Sequence, residues 1–116
     1  MDRAAVEAER ARVADRASSL ERELASLAEQ QSLTSHDDEH DPEGVTIAVQ
    51  RAQLQGLLDA ARVELTELDR ATDRLADGTY GRCAGCGAPI AAERLEALPA
   101  TTTCIRCAER RRPRSR

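Results

Sequence analysis

Apolar side chains return at every seventh position in two separate runs, and this repeat more than anything else limits what the chain can become. Val6, Val13, Leu20 and Leu27 form the first series, with Ala17 and Leu24 in the companion places. Ile47, Leu54, Ala61, Leu68 and Leu75 form the second, with Leu58, Leu65 and Thr72 alongside. Such spacing puts each series on one stripe of a helix and suits a helix-to-helix seam. The first run, from Asp2 to about Ser32, contains neither Pro nor Gly and predicts one long helix. Arg10 falls on its seam line, and the pairs Glu7–Arg10 and Glu9–Arg12 solvate its outer side. The second run, from about Val45 to Ala76, is interrupted only by Gly56 and closes at Asp77-Gly78-Thr79, where Gly78 suits a left-handed cap. With one Tyr and neither Phe nor Trp in 116 residues, no thick globular core is available. A thin, mainly α architecture is expected.

Between the runs lies Ser35-His36-Asp37-Asp38-Glu39-His40-Asp41-Pro42-Glu43-Gly44, a polar break that allows the second helix to fold back on the first. The expected fold is a long antiparallel helical hairpin, a coiled coil, over residues 1–79 with an acidic tip at about 35–45. At 1.5 Å rise per residue it would be about 45 Å long. An intermolecular coiled coil is the competing arrangement, and the short break favours local return and a monomer.

Charge is unevenly placed. Asp37, Asp38, Glu39, Asp41 and Glu43 give the tip −5, while six Arg against Glu109 give the last eleven residues +5, within a chain of formal charge −4. An acidic total without aromatic interleaving argues against sequence-specific DNA binding. The Arg-rich tail, 109–116, leaves open a salt-sensitive, unselective contact with nucleic acid. No apolar run exceeds three residues, so neither a membrane span nor a secretion signal is expected, and the cytoplasm is the expected location.

Cys83-Ala84-Gly85-Cys86 and Cys104-Ile105-Arg106-Cys107 are two Cys-x-x-Cys pairs at four-cysteine zinc spacing. Two residues between ligands let one tight turn aim both sulfurs at a single ion, and Gly85 and Gly87 favour that turn. The second pair opens a short helix, Cys104 to Arg112. Four thiolates close the coordination sphere, so one structural Zn2+ is expected, held by Cys83, Cys86, Cys104 and Cys107 in a finger over 80–108. Its folding energy would supplement a sparse cluster of Tyr80, Ile90, Leu95, Leu98 and Pro99. Two disulfides and a redox-switched site are the competing readings. No nucleophile has an evident base beside it and no glycine-rich phosphate loop is present, so an enzyme is not expected. His36 and His40 among acids, and Asp38 with Asp41 as oxygen ligands for magnesium, are further candidates at the tip.

The series Tyr80-Gly81-Arg82-Cys83-Ala84-Gly85-Cys86-Gly87, then Ile90, Arg94-Leu95-Glu96-Ala97-Leu98-Pro99 and Cys104-Ile105-Arg106-Cys107, after a helical hairpin, resembles the DksA/TraR family of bacterial transcription factors. The resemblance implies a non-enzymatic regulator that binds RNA polymerase directly, inserts its hairpin into the secondary channel and alters promoter-complex stability. It would bring the tip residues Asp37, Asp38, Glu39, Asp41 and Glu43 to the polymerase. The family tip runs Asp-x-x-Asp-x-Ala, and two alignments compete: Asp38 and Asp41 keep the spacing with Glu43 in the Ala place, or Asp41-Pro42 opens the motif and Gly44 stands in the second acidic place; the motif is incomplete either way. A zinc-stabilised adaptor or oligomerisation module with an inert tip is the alternative from another class.

Overall fold

A computed structural model describes residues 2–34 and 42–111, with the backbone alone for residues 34, 42 and 43. Four helices follow in chain order: α1 (Arg3–Thr34), α2 (Pro42–Asp77), α3 (Ala92–Ala97) and α4 (Ile105–Arg111). None of the described helices is long and apolar enough to cross a membrane. The tip acids Asp37, Asp38, Glu39 and Asp41, with His36 and His40, lie outside the described residues; Glu43 lies on the backbone of the first turn of α2.

Both long helices extend slightly beyond the limits that periodicity predicts. Asp2 accepts a bond from the Ala5 N–H at 2.9 Å and so caps α1. The second helix begins at Pro42 rather than Val45. Proline lacks the N–H that a first turn leaves unpaired anyway, so Pro42 starts the helix instead of marking the end of the break. The far end of α2 closes as its sequence suggests. Gly78 adopts φ +82°, and the N–H groups of Thr79 and Tyr80 both donate to the Arg74 carbonyl, at 2.9 and 3.1 Å. Asp77 accepts the Thr79 N–H at 3.0 Å as well as its hydroxyl. Those bonds, the hydroxyl first, hold the Asp77 carboxyl below its usual range.

The chain divides into two compact units. The unit over Arg12–Leu65 is an antiparallel helix pair. Partners descend along α2 as they ascend along α1: Arg16 with Glu64 at 3.6 Å, Glu21 with Arg62 at 3.2 Å, and Gln31 with Arg51. Its buried residues are Val13, Ala17 and Leu20 from α1 and Ile47, Leu58 and Ala61 from α2. Leu24, Leu27, Leu54 and Leu65, expected to be buried in the seam, are only half-buried. Leu27 and Leu54 border a surface groove of about 420 Å³ and Leu24 a second of about 280 Å³, which accounts for the partial exposure of these three.

The second unit joins the described residues of Met1–Ala11 and Thr66–Arg116. Val6, Leu68 and Ala71 are buried in it. Arg10, on the expected seam line, is half-buried and donates to Asp69 of α2. That bond lowers the Asp69 pKa and raises that of Arg10, both at the surface. Solvent screening keeps the contribution of such a pair small.

Two glycines, one inside α2 and one just past its end, should respond oppositely to the same substitution. A Cβ on Gly56 would meet nothing within 4 Å, so Gly56→Ala is expected to stabilise the monomer by about 1 kcal/mol through helix propensity. At Gly78, just past the helix, the positive φ makes Gly78→Ala destabilising by about 1 kcal/mol. Thermal melts of dilute protein followed by circular dichroism check both signs.

Candidate metal centre

The backbone leaving α2 is led by Gly81, at φ +85°, into a short antiparallel bridge between Arg82 and Pro89. The Cys83 N–H donates to the Ala88 carbonyl at 2.8 Å, and the Gly87 N–H to the Cys83 carbonyl at 2.9 Å. Gly87 turns the chain at φ +77° just past the second cysteine, the conformation its residue type suits. This tight turn carries Cys83 and Cys86. The second pair is brought in by α3 and the segment after it: the Ala84 N–H donates to the Thr102 carbonyl at 2.7 Å, and Arg94 donates to the Thr103 carbonyl at 2.9 Å. Cys104 stands immediately before α4 and Cys107 lies in its first turn.

All four Sγ atoms lie within 4.8 Å of one another. The Cys86 and Cys104 sulfurs are 3.8 Å apart. A tetrahedron with metal–sulfur bonds of about 2.3 Å has edges of roughly 3.8 Å, so the donor set fits a four-thiolate ion such as zinc. All four cysteines are free rather than paired in disulfides. Gly85 serves this arrangement through space rather than through φ. A Cβ there would stand 3.0 Å from the Cys107 sulfur and 3.6 Å from that of Cys83.

The local field around the sulfurs is unequal. The Cys104 backbone N–H, followed by that of Cys86, faces Cys83 and lowers its thiol pKa to about 6, despite the opposing effect of burial. The Cys107 backbone N–H lowers the pKa of Cys104. Cys107 moves the other way, up to about 12, because its proton is shared first with Cys83 and then with Cys104. Without a cation, four clustered thiols cannot all ionise; an ion at their centre removes that restriction.

Around the sulfurs the apolar support is thin. Ile90 and Leu95 are buried with Cys83 and Cys107, and Tyr80 and Cys104 pack against them. Tyr80 also donates its hydroxyl to the Pro99 carbonyl at 2.8 Å. Burial raises the Tyr80 pKa, an effect that nearby Arg74 partly offsets. Leu98, expected in this cluster, is instead half exposed at the end of α3. The helix α3 has no counterpart among the expected elements: its six residues lack a capping side chain, and Leu95 anchors it.

Comparison with known proteins agrees with this geometry. Residues 78–113 match the prokaryotic dksA/traR C4-type zinc finger. The RNA polymerase-binding transcription factor DksA of Caulobacter vibrioides is 40% identical over 58 residues, half of this chain and 41% of that protein. An uncharacterized protein of Aquifex aeolicus is 37% identical over 99 residues, 82% of this chain and 67% of that one. The chain belongs to the DksA/TraR C4-type zinc-finger family. Transcription factor DksA2 from Pseudomonas aeruginosa superimposes with a TM-score of 0.56 at 27% identity, over 95% of this chain and 84% of that one. Members of the family are non-enzymatic regulators.

The glycine beside the sulfurs makes the packing testable. Gly85→Ala is expected to push the Cys107 sulfur out of its place in the cluster and destabilise the finger by about 1 to 3 kcal/mol. Limited proteolysis within residues 80–107 should accelerate accordingly.

Proposed function

We propose that the protein is a zinc-dependent regulator that binds RNA polymerase directly. The observation that carries this reading is the four-sulfur cluster, built on the segment that matches the family finger, in a chain 40% identical over 58 residues to a relative named for polymerase binding. In this reading Cys83, Cys86, Cys104 and Cys107 hold one Zn2+. A closed four-thiolate shell leaves no position for substrate, so the ion acts by stabilising the fold.

The antiparallel helix pair, as a coiled coil, would enter the secondary channel of the polymerase with Asp37, Asp38, Glu39, Asp41 and Glu43 leading. Negative charge delivered on a stiff pair of helices suits a basic or metal-containing site, and it would change promoter-complex lifetime there. Neither a sequence-specific DNA contact nor a membrane forms part of the function, and the cytoplasm is the setting.

Two experiments test the reading. Purified protein should carry one equivalent of zinc, and cobalt substitution should give the absorption of tetrahedral thiolate coordination. Metal loading should release protons, since Cys107 retains its proton at neutral pH. Apparent affinity is therefore expected to rise between about pH 6 and 8, and to fall further as Cys83 protonates below about 6. Competition with a chelator across that range measures the sign, and affinity independent of pH would contradict it.

For the polymerase, zinc-loaded protein should be retained by cognate core enzyme, and Asp38→Asn/Asp41→Asn should abolish its effect on promoter-complex lifetime while leaving retention within a few-fold. Failure to bind at micromolar concentration would favour a zinc-stabilised adaptor instead.

A further inference from the structure

The helix pair over Arg12–Leu65 changes character at one level along its length. In its stem, residues 12–23 and 59–65, nine of nineteen side chains are charged. In the stretches that lead to the acidic segment, residues 24–34 and 44–58, only Glu29 and Arg51 are charged among twenty-six. The Glu21–Arg62 pair and the Gln31–Arg51 bond fix the antiparallel register, and in it Glu23 and Asp59, which end the charged stem on each helix, stand level with each other. Two stretches far apart in sequence therefore lose their charge at the same height, which helix formation by itself does not require.

Apolar surface is open all round this neutral band. The two grooves beside the half-covered Leu24, Leu27 and Leu54 run along opposite flanks of the seam, one walled by Gln53 and Leu57, the other by Ala52 and Gln55. Leu33 on α1, and Val45 and Val49 on the outer side of α2, are exposed as well. A helix surface that stays in water normally carries charges, whereas the centre of a protein interface is depleted of them. Charge becomes costly where water is removed.

The occupant follows from what the band lacks. Nucleic acid needs cations along its phosphates, and the band offers Arg51 alone, already bonded to Gln31. An anionic membrane is disfavoured by the five carboxylates of the adjoining segment. A second copy of the chain would cover one side of a helix pair, whereas here both flanks and the outer side are stripped of charge. An enclosing protein wall covers all of them and is continuous with the contact proposed for the acidic segment. We infer that this band is the part of the helix pair that RNA polymerase encloses, and that the level of Glu23 and Asp59 marks where the enclosing wall ends. The inference rests on polymerase binding as proposed above and adds the extent of the contact. From Asp59 to Gly44 it spans about 22 Å at 1.5 Å per residue, and the charged stem remains in solvent.

Leu57 and Val63 are matched reporters of that boundary. Each keeps 58% of its surface, and Asp59 lies between them. Hydroxyl-radical footprinting read by mass spectrometry, on the zinc-loaded full chain with and without cognate core polymerase, should show Leu33 and Leu57 oxidised about fivefold more slowly in the complex and Val63 unchanged. Charge supplies a second readout. Gln53→Glu and Gln53→Lys, checked for unchanged helicity by circular dichroism, should each weaken polymerase binding about tenfold, because a charge of either sign loses its water there. Ser18→Glu and Val63→Glu, on the stem, should bind as wild type does. No retention by polymerase overturns the proposed function and this inference with it. Retention with Leu57 and Val63 protected alike, or with neither protected, overturns the inference alone, as does weakening by one sign of charge only. Protection of Leu57 that rises with protein concentration in the absence of polymerase would also overturn it and assign the band to a second copy.

Discussion

Everything from the end of α2 to α4 depends on four sulfur atoms meeting at one point. Beyond the cysteines, this part of the chain buries Ile90 and Leu95 and leans on Tyr80, far less apolar area than ordering some thirty residues requires. Backbone bonds therefore do most of the aiming. The Ala88 carbonyl and Gly87 fix the first pair, and α4 presents the second. A cation shared by the four thiolates would tie together two distant stretches of chain that the Ala84–Thr102 bond and the Arg94–Thr103 contact already hold in place.

The long helices solve a different problem by different means. Lacking large aromatic side chains, they bury Val, Leu, Ile and Ala along narrow stripes and use Arg–acid pairs at the margins. Narrow stripes bury little per residue, so length substitutes for thickness. The same economy leaves Leu24, Leu27 and Leu54 half-covered beside surface grooves, since no bulky neighbour is present to close them.

These two parts divide the proposed work. In the proposed reading the finger is a closed metal site whose chemistry ends with folding, so regulation would come from surfaces: the acidic segment between α1 and α2, and the faces the helices leave exposed. A regulator of this kind needs stiffness and charge at defined positions rather than a catalytic pocket, which is consistent with long helices that bury their apolar residues along narrow stripes.

The sequence by itself determined the two helices, because a seven-residue repeat has only one periodic conformation that puts all its apolar members on one side. It also determined the four-cysteine cluster, since paired Cys-x-x-Cys spacing and Gly87 are local chemistry readable along the chain. It is silent on elements that local pattern does not encode. The start of α2 at Pro42 depends on whether proline ends a loop or opens a helix, two roles with one sequence. The helix α3 is too short and uncapped to carry a periodic signal, and exists because Leu95 has a site to fill. Leu98 resembles core by composition, yet the end of α3 turns it to solvent. Gly85 has the character of a turn residue, whereas only the assembled cluster shows that the sulfur of Cys107 crowds the place of its missing side chain. What tertiary structure decided, in each instance, was the space left by residues distant in sequence, and that space has no trace in local periodicity.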